Sequence, residues 1–392
     1  MNEPLRIAMI ILGYYPIIGG AEVQLRTLAR QLQAQGVEVS VLTRRYAGLK
    51  AFELVDGIPV YRLLAPRPKP VAALSFIATA IPLLRRLRPH VVHAFTMLSP
   101  AIIACVAKMI LGIPAIVGNQ GGGRGGEVYR LHNKFLSNQR FAFLRRYVDA
   151  YITISQEIDR ELEQIGMSAD RRVFILNGVD TNRFSPVSPT DKQLLRARLG
   201  LPSGPMAIFV GRLAPEKRVA NLLTIWPEVR SVYPEASLLI IGTGVEESML
   251  KAMAGDDVHF AGAVEDVAPY LQTADLFVLP SMREGLSVAI LEALSTSLPV
   301  VATAVGGTPD VIKHDYNGWL VPPENPPALR DAIVTLLGDQ TRRANFGARG
   351  RELVIRNYSL ATCVAQHRAL YTHLASGHPI ATLKLQAAEG DR

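Results

Sequence analysis

The chain has 392 residues, of which 49% are hydrophobic and 19% are charged. This composition excludes a disordered or fibrous protein, and at about 150 residues per domain the length predicts two or three domains, with two as the first expectation. Lys and Arg outnumber Asp and Glu by 23 to 13 over residues 1–185, whereas the counts are 19 and 21 over residues 186–392. The basic first half is expected to contact anionic groups such as lipid headgroups, phosphorylated acceptors or nucleic acid. The alternative is that its Lys and Arg residues are ordinary solvated side chains.

The cysteine content and the apolar runs limit where the protein can reside. Cys105 and Cys363 lie far apart in mostly apolar stretches, so a reducing cytosol is expected, without a disulfide framework. The apolar run 7–18 is interpreted as a buried strand, because only Arg6 precedes it and no cleavage pattern follows. The run 71–84 contains Pro82 and is shorter than the ~20 residues of a membrane span. No transmembrane helix is predicted.

Short apolar runs of β-forming residues alternate with helical patterns along the chain. The first-half strands are predicted at LRIAMIIL, VEVSVLT, HVVHAF, IPAIVG, AYITIS and RVFIL, with a helix over 21–35. The periodicity stops over 177–190, where Pro and Ser cluster as in a linker, and it restarts with MAIFVG, SLLIIG, VHFAG, DLFVLP, PVVAT and WLV. This alternation predicts an α/β fold with two doubly wound, Rossmann-like parallel sheets.

The predicted division has four parts: an N-terminal domain at 1–185, a second domain at 186–357, a closing helix at 358–376 that returns toward the N-terminal domain, and a loose tail at 377–392. Ligands of open parallel sheets bind outside the carboxyl ends of the strands, so we expect the two domains to face each other across a binding cleft. Each domain has a glycine pair after a strand, namely Gly19-Gly20 and Gly306-Gly307.

The stretch REGLSVAILEAL contains two glutamates, Glu284 and Glu292. A helix is predicted from about Ser287 with apolar residues on all sides, so it should be buried, and the Glu292 carboxylate should need a partner. The unsatisfied amides at this helix start are typical of an anion site. They belong to Gly285, Leu286, Ser287 and Val288.

Two carboxylates beside a bound phosphate would repel it unless they accept hydrogen bonds from hydroxyl groups. A nucleotide sugar carries hydroxyls on both sides of a diphosphate. The stretch GRLAPEKR supplies Arg212 as a planar fork and Lys217 as a point charge after the strand MAIFV. Each charge alone could be a surface group, but together they favour a nucleotide-sugar site in which fixed cations stabilise a departing diphosphate.

These motifs resemble the retaining glycosyltransferases of the GT-B fold, family 4 (glycosyl transferases group 1). The resemblance runs from IIGGAEVQLRTLARQLQAQGVEVSVLT through NGVDTNRFSP and GRLAPEKR to SMREGLSVAILEAL and PVVATAVGGTPDVIKHDYNGWLV. It implies transfer of a hexosyl or related sugar from a nucleotide-sugar donor to an acceptor hydroxyl with retention of configuration. The implied setting is cell-envelope polysaccharide or glycolipid synthesis in the cytoplasm.

The resemblance also implies roles for individual residues. Arg212 and Lys217 would bind the donor diphosphate, with help from the amides at 286–288. Glu284 would hold sugar hydroxyls, and Glu292 the ribose. The other implied donor-binding positions are Gly19 and Gly20, where a missing side chain allows close approach to phosphate, Gly285, and Val264, whose backbone would meet the base.

Retention is commonly explained by a same-face mechanism. The acceptor hydroxyl attacks the anomeric carbon on the face from which the diphosphate leaves, and a donor phosphate oxygen takes the hydroxyl proton. A dedicated protein base is then not compulsory. Glu284 is the nearest candidate for a nucleophile or base, although sugar positioning is the favoured role. No Asp-x-Asp pair is present, so neither a metal nor another cofactor is expected.

The acceptor side departs from the family pattern. Many relatives have a histidine after the strand that here reads PAIVG, where this chain has Asn119 and Gln120 followed by a glycine-rich loop with Arg124. The loop is either a second phosphate cradle or a simple turn. His93 is a further acceptor-side candidate, although a lone histidine at a strand end is more often structural.

The expected partners are a nucleotide-sugar donor and a lipid-linked, polysaccharide or other hydroxyl acceptor, without nucleic acid. The segments 65–88 and 129–147 are basic and apolar, which makes an anionic membrane surface a candidate partner at the inner face of the membrane. For 129–147, the alternative is a domain helix with a solvated basic face.

Three other classes are weighed against a transferase. A nucleotide-sugar epimerase would share the two-domain plan but needs acid and base residues around the sugar that the sequence does not reveal. A nicotinamide dehydrogenase would need Gly-x-Gly-x-x-Gly after the first strand, which GYYPIIGGAE lacks. A catalytically silent sugar-nucleotide-binding protein is disfavoured by the four charged residues of the implied donor site.

Overall fold

The computed structural model describes residues 3–17, 19–66, 69–123, 125–383 and 385. These residues form two compact units, of which one runs to Asn177 and resumes at Ala361, and the other spans Gly178–Leu360. The chain therefore passes between units before residue 185, where the sequence suggests the boundary.

The first unit contains an eight-stranded sheet in the order β3-β4-β2-β1-β5-β6-β7-β8. Its strands are β1 Arg6–Ile10, β2 Glu38–Arg44, β3 Phe52–Val55, β4 Ile58–Leu63, β5 Val91–Ala94, β6 Ala115–Gly118, β7 Ala150–Thr153 and β8 Arg172–Phe174. Its helices are α1 Gly20–Ala34, α2 Lys69–Leu87, α3 Ser99–Leu111, α4 Glu127–His132, α5 Ser137–Tyr147 and α6 Gln156–Gln164.

The second unit contains a six-stranded sheet in the order β11-β10-β9-β12-β13-β14. Its strands are β9 Met206–Val210, β10 Ser237–Ile241, β11 Val258–Gly262, β12 Leu276–Leu279, β13 Val300–Thr303 and β14 Trp319–Val321. Its helices are α7 Pro189–Leu199, α8 Val219–Val232, α9 Glu247–Met253, α10 Ala268–Thr273, α11 Val288–Ser295, α12 Thr308–Val311, α13 Pro326–Gly338 and α14 Gln340–Asn357.

The central strands are buried along their length, because helices cover both faces of a parallel sheet. Every residue of β10, β12 and β13 is buried. In the second sheet, β9 pairs with β10 on one side and β12 on the other. The strand order therefore reverses beside β9, and ligands of such sheets bind at the carboxyl ends of the strands at this switch point.

The first sheet has one antiparallel edge strand, which the sequence analysis did not identify. The strand β3 pairs antiparallel with β4, and β4 pairs parallel with β2. Asp56 and Gly57 make the turn, with φ of 52° and 77°. An Asp-Gly pair between apolar runs favours this two-residue hairpin because both residues tolerate positive φ, so the sequence did contain a signal for it.

The C-terminal helix α15, Leu360–Ala375, packs within the first unit. Residues predicted to be a loose tail begin with an ordered turn, since Ile380–Thr382 form a short 3-10 helix and the Pro379 carbonyl lies 2.8 Å from Nε2 of His373. The rest of the predicted tail, apart from residue 385, lies outside the described residues. Among the described residues, every helix is either too short or too polar to serve as a membrane span.

Candidate active site

An ion pair joins the loops that follow β9 and β12. Lys217 Nζ donates a 2.6 Å hydrogen bond to Oε1 of Glu284. Both side chains are largely shielded, with 18% of Lys217 and 8% of Glu284 exposed. Lys217 ends a short 3-10 turn, Pro215–Lys217, and the amide of Met282 donates to the carbonyl of Glu216. The two loops are therefore tied together by backbone as well as by charge.

The helix α11 begins directly after this ion pair. Ser287 is its N-cap residue, and its side chain accepts no capping hydrogen bond in the described structure. The first amides of a helix have no intrahelical acceptor. The first amides of α11, at Val288 and the next residues, therefore have no capping acceptor from the Ser287 side chain, and such amides are the groups that bind anions at helix starts. The predicted helix start is confirmed to within one residue.

Glycines hold the backbones of these loops together. Gly306 has φ of 57°, and a Cβ there would lie 2.0 Å from the carbonyl oxygen of Glu284. Gly307 donates its amide to the carbonyl of Gly285 at 2.6 Å. A side chain at Gly306 would consequently displace the backbone that carries Glu284. The sequence analysis noted only the glycine pair, because the close approach of Gly306 to Glu284, 22 positions earlier, leaves no local sequence pattern.

A second contact of this kind was missed in the sequence. A Cβ at Gly242 would lie 1.9 Å from the carbonyl oxygen of Gly211, and one at Gly244 would lie 2.1 Å from that of Leu213. These glycines follow β10 and pack against the loop that follows β9. The Gly-x-Gly spacing after a buried strand was the signal that could have identified them.

Arg212 lies on the same loop as Lys217, but its side chain is 65% exposed and pairs with Glu216 at 2.9 Å. The structure thus brings Lys217 and Glu284 into contact, whereas Arg212 has a separate carboxylate partner. Arg218, with φ of 51°, pairs with Glu324 at 3.0 Å. Glycine would hold that backbone conformation without strain.

Glu292 lies on α11 and is half-buried, which is less than the sequence predicted. Among the described residues, no group hydrogen-bonds or ion-pairs with its carboxylate. Burial raises the pKa of Glu292 to about 8; the charge of Arg183 acts in the opposite direction, and that of Asp266 adds to the increase. Arg183 is itself paired with Asp266 at 2.8 Å. Within the described part of the chain, Glu292 is therefore a shielded carboxyl group without a direct partner.

The remaining donor-side positions are backbone sites. Val264 is half-buried in the loop after β11. Gly19 precedes α1, and a Cβ there would lie 2.5 Å from Oε2 of Glu22, whereas a Cβ at Gly20 would meet no described heavy atom within 4 Å. The described atom nearest to that Cβ is thus the end of the flexible Glu22 side chain, which can move aside.

His93 occupies a buried aromatic cluster in the first unit. It is 2% exposed, and its Nδ1 lies 2.8 Å from the hydroxyl of Tyr371 on α15. Its ring stacks on Phe95 with centroids 4.2 Å apart, and the His367 ring lies 5.8 Å away. Burial, with a smaller contribution from His367, lowers the pKa of His93 well below 6.5. The geometry supports the structural reading of His93.

The glycine-rich loop after β6 is folded onto a buried glutamate. Asn119 is 1% exposed, and its Oδ1 accepts a 3.1 Å hydrogen bond from the amide of Gly121. Glu127 accepts from the amides of Gln120 and Met97, and burial raises its pKa to about 7. Arg124 lies outside the described residues.

Most of the loop amides that would form a phosphate cradle already have protein acceptors. Besides those of Gln120 and Gly121, the amide of Gly123 donates to Glu161, and that of Gly126 donates to the carbonyl of Gly123. The loop therefore favours the turn interpretation over the cradle. Sequence reasoning missed Glu127, for which a glutamate directly after a glycine run was the available signal.

Two properties bear on cofactors. The described ranges contain no group of three or more His, Cys, Asp and Glu side chains placed to hold a metal ion. Cys105 and Cys363 are both buried, and neither forms a disulfide within the described ranges; burial raises the pKa of Cys105 to about 12.

Comparison with known proteins identifies the family. The family model described as Glycosyltransferase Family 4 matches residues 18–183, and that described as Glycosyl transferases group 1 matches residues 204–339. The second match includes the loops that carry Lys217 and Glu284.

The chain is 28% identical over 389 residues to the sulfoquinovosyl transferase of Arabidopsis thaliana, covering 90% of this chain and 70% of that protein. It is 33% identical over 236 residues to a GDP-mannose-dependent monoacylated α-(1-6)-phosphatidylinositol monomannoside mannosyltransferase of Corynebacterium glutamicum, covering 57% of this chain and 62% of that protein.

Among solved structures, Anabaena HepE in complex with UDP-glucose aligns with a TM-score of 0.79 and 20% identity, covering 95% of this chain and 100% of that one. This likeness and the two parallel sheets confirm the predicted GT-B fold. The two family matches together cover most of the sequence. The chain belongs to the family 4 glycosyltransferases of group 1.

Proposed function

We propose that this glycosyltransferase moves a sugar from a nucleotide-sugar donor to an acceptor hydroxyl with retention of anomeric configuration and without a metal ion. The observation that carries the proposal is the ion pair between Lys217 and Glu284, which lies next to an uncapped helix start at the switch point of the second sheet. A cation, a carboxylate and free amides at one place suit a ligand that has both phosphate and hydroxyl groups.

In the proposed complex, the donor diphosphate binds the first amides of α11 and takes the Lys217 ammonium from Glu284. The Glu284 carboxylate then accepts hydrogen bonds from sugar hydroxyls. Cleavage at the anomeric carbon places negative charge on the departing diphosphate, and the fixed positive charge of Lys217 stabilises it. Arg212, whose side chain is 65% exposed, adds a second cation when phosphate competes with Glu216.

Glu292 supplies the ribose contact in this proposal. Its carboxylate has no partner among the described residues, and burial makes its ionised form costly. Hydroxyl groups that donate to the carboxylate would offset this cost. Glu292 lies on α11, the same helix whose N-terminus meets the phosphates in this proposal. Because α11 is only eight residues long, its start and Glu292 are close enough for one nucleotide to reach both.

Two relatives suggest the setting of the reaction. The Corynebacterium relative is named for a phosphatidylinositol mannoside acceptor and a GDP-mannose donor, whereas Anabaena HepE binds UDP-glucose. We therefore propose a lipid-linked or polysaccharide acceptor in cell-envelope synthesis, at the cytoplasmic face of the membrane.

The test is a panel of UDP-, GDP-, ADP- and TDP-sugars, measured by thermal stabilisation and by slow nucleotide release in the presence of EDTA. One donor class should stabilise the protein and be hydrolysed, and Glu284→Gln should impair hydrolysis. Lys251→Ala is the matched control for Lys217→Ala, since Lys251 forms an exposed pair with Glu247. Donor binding that requires a divalent ion, or turnover that ignores Lys217→Ala and Glu284→Gln, would contradict the proposal.

A further inference from the structure

The connection between α4 and α5 displays apolar side chains to solvent. Phe135 is 85% exposed, Leu136 is 48% exposed, and Tyr129 on α4 is 50% exposed. Single exposed apolar residues are common on protein surfaces, but three of them near one turn are an exposed apolar patch. We call residues 129–136 the α4–α5 tip.

The backbone of the α4–α5 tip is ordered by its own hydrogen bonds. The amide of Asn133 donates to the carbonyl of Tyr129 at 3.2 Å, and that of Lys134 donates to Leu131 at 3.1 Å. Leu136 caps α5 in the left-handed region, with φ of 60°. Asn or Gly would adopt this conformation at lower cost. The fold thus holds a large apolar side chain in solvent at a position where smaller polar residues are favoured.

The segment that carries the tip is basic. Residues 128–148 contain five Lys and Arg residues and no Asp or Glu. Arg130 and Arg146 are exposed and Arg140 is half-buried, and none of the three has an ion-pair partner in the part of the chain that the structure describes. A solvated basic face would explain these charges alone, but it would not explain Phe135 and Leu136 between them.

The other segment considered for membrane contact behaves differently. On α2, the apolar residues Phe76, Ala80 and Leu84 are fully buried in the first unit. Leu74 remains 69% exposed and Val71 remains 45% exposed. One stripe of α2 therefore serves the core, and the prediction that the segment 65–88 lies on a bilayer stays a prediction. Residues 67–68 lie outside the described residues.

We propose that the α4–α5 tip docks on an anionic lipid bilayer. Phe135 and Leu136 enter the interface between headgroups and acyl chains, while Arg130, Lys134 and neighbouring arginines contact lipid phosphates. A protein partner is less suitable, because a stable protein interface buries more than ~1,000 Å², and the tip offers three apolar side chains. The purpose of docking rests on the proposed function, since it brings the first unit to a lipid-linked acceptor, but the binding itself does not depend on catalysis.

The test is co-sedimentation of the full chain with vesicles of phosphatidylcholine mixed with phosphatidylglycerol, compared with phosphatidylcholine alone. The wild-type protein should bind the mixed vesicles and be released by salt. Phe135→Ser should weaken binding about tenfold or more, as expected for loss of one buried aromatic side chain. Arg130→Gln combined with Arg146→Gln should also weaken it about tenfold.

Two matched controls separate the tip from general surface effects. Val245→Ser removes an apolar side chain that is 87% exposed in the second unit. Arg198→Gln removes an exposed arginine on α7 that has no ion-pair partner among the described residues. Both controls should bind vesicles like the wild type. In addition, Phe135→Trp should show blue-shifted emission with mixed vesicles.

Wild-type binding by Phe135→Ser, equal binding to both vesicle types, or absence of binding by the wild type would overturn the proposal. Loss of self-association in Phe135→Ser without loss of vesicle binding would assign the tip to a second copy of this chain instead. Donor-induced stabilisation in solution is measured separately and should be unchanged in Phe135→Ser. A failure of the donor test is thus distinguishable from a failure of the docking test.

Discussion

Lys217 Nζ and Glu284 Oε1 lie 2.6 Å apart, although the two residues are 67 positions apart in sequence. This contact joins the loops after two adjacent strands, β9 and β12, at the switch point of the second sheet. In the absence of ligand, the Lys217 ammonium and the Glu284 carboxylate stabilise each other, because a shielded charge without a partner is costly. Phosphate and sugar hydroxyls could replace both partners at once.

Lys217→Ala is expected to lower turnover of the donor about 10²–10³-fold, the usual effect of removing one fixed group that stabilises transition-state charge. It should also lower the free energy of unfolding, since the Glu284 carboxylate loses its partner. Adding Glu284→Gln to Lys217→Ala should restore stability but not turnover. Urea unfolding followed by fluorescence of Trp226 and Trp319, together with nucleotide release, measures both effects. Recovery of turnover in the double variant would contradict this role.

Glu292 should couple nucleotide binding to a proton. Its pKa is about 8 in the folded protein, so the carboxyl group is mostly protonated at pH 7, whereas in the unfolded chain it ionises near ~4.3. Stability from this group is present at low pH and is lost as pH rises between those values. A ribose hydroxyl that donates to the carboxylate favours the ionised form. Nucleotide binding at pH 7 should therefore release a proton.

Calorimetry of nucleotide binding in two buffers of different ionisation enthalpy measures the proton released. The release should disappear in Glu292→Gln. That variant should be more stable than the wild type at pH 8, whereas at pH 5 the two proteins should be about equally stable. Unchanged proton release in Glu292→Gln would place the titrating group elsewhere.

Gly306→Ala should disturb Glu284 through the backbone. The new Cβ would lie 2.0 Å from the Glu284 carbonyl oxygen, at a φ of 57°. Gly200→Ala is the matched control, since Gly200 has φ of 66° and a Cβ there meets no described atom within 4 Å. The control should cost about 1–2 kcal/mol of stability from the left-handed conformation alone. Gly306→Ala should cost more and lower turnover about 10²-fold, the effect of a displacement of ~1 Å in a site.

Urea unfolding followed by tryptophan fluorescence suits this comparison, because both tryptophans lie in the second unit. Equal stability and equal turnover for the two glycine variants would show that the loop after β13 relaxes without moving Glu284.

Tyr371→Phe tests whether His93 is structural. The variant leaves His93 Nδ1 without its hydroxyl partner and should cost about 1–3 kcal/mol of local stability, with donor turnover retained. The pKa of His93 is lowered by burial, so stability from the neutral ring is present above the unfolded pKa of ~6.5 and falls as pH drops below it. Hydrogen exchange of the β5 amides at pH 7 and pH 5 measures this. Loss of turnover at unchanged stability would instead support a catalytic role.

The sequence alone predicted most of the fold. The first strand, the β9 strand and the start of α11 follow from local apolar periodicity and turn residues, which depend on neighbours along the chain. The antiparallel edge strand β3 was missed because it is short and half-exposed, although Asp56 and Gly57 marked the turn. Lys217 and Glu284 were placed correctly at strand ends, because a loop position is also a local property.

The tertiary structure decided which of these side chains meet. Three contacts depend on how distant loops and helices pack. Lys217 pairs with Glu284, Gly306 supports the Glu284 backbone, and His93 binds Tyr371 across 278 residues. The same holds for exposure, since α2 and the α4–α5 tip have similar basic and apolar composition, yet Phe76 on α2 enters the core while Phe135 stays in solvent. Periodicity specifies elements, whereas contacts between them follow from long-range packing, which no short stretch of sequence contains.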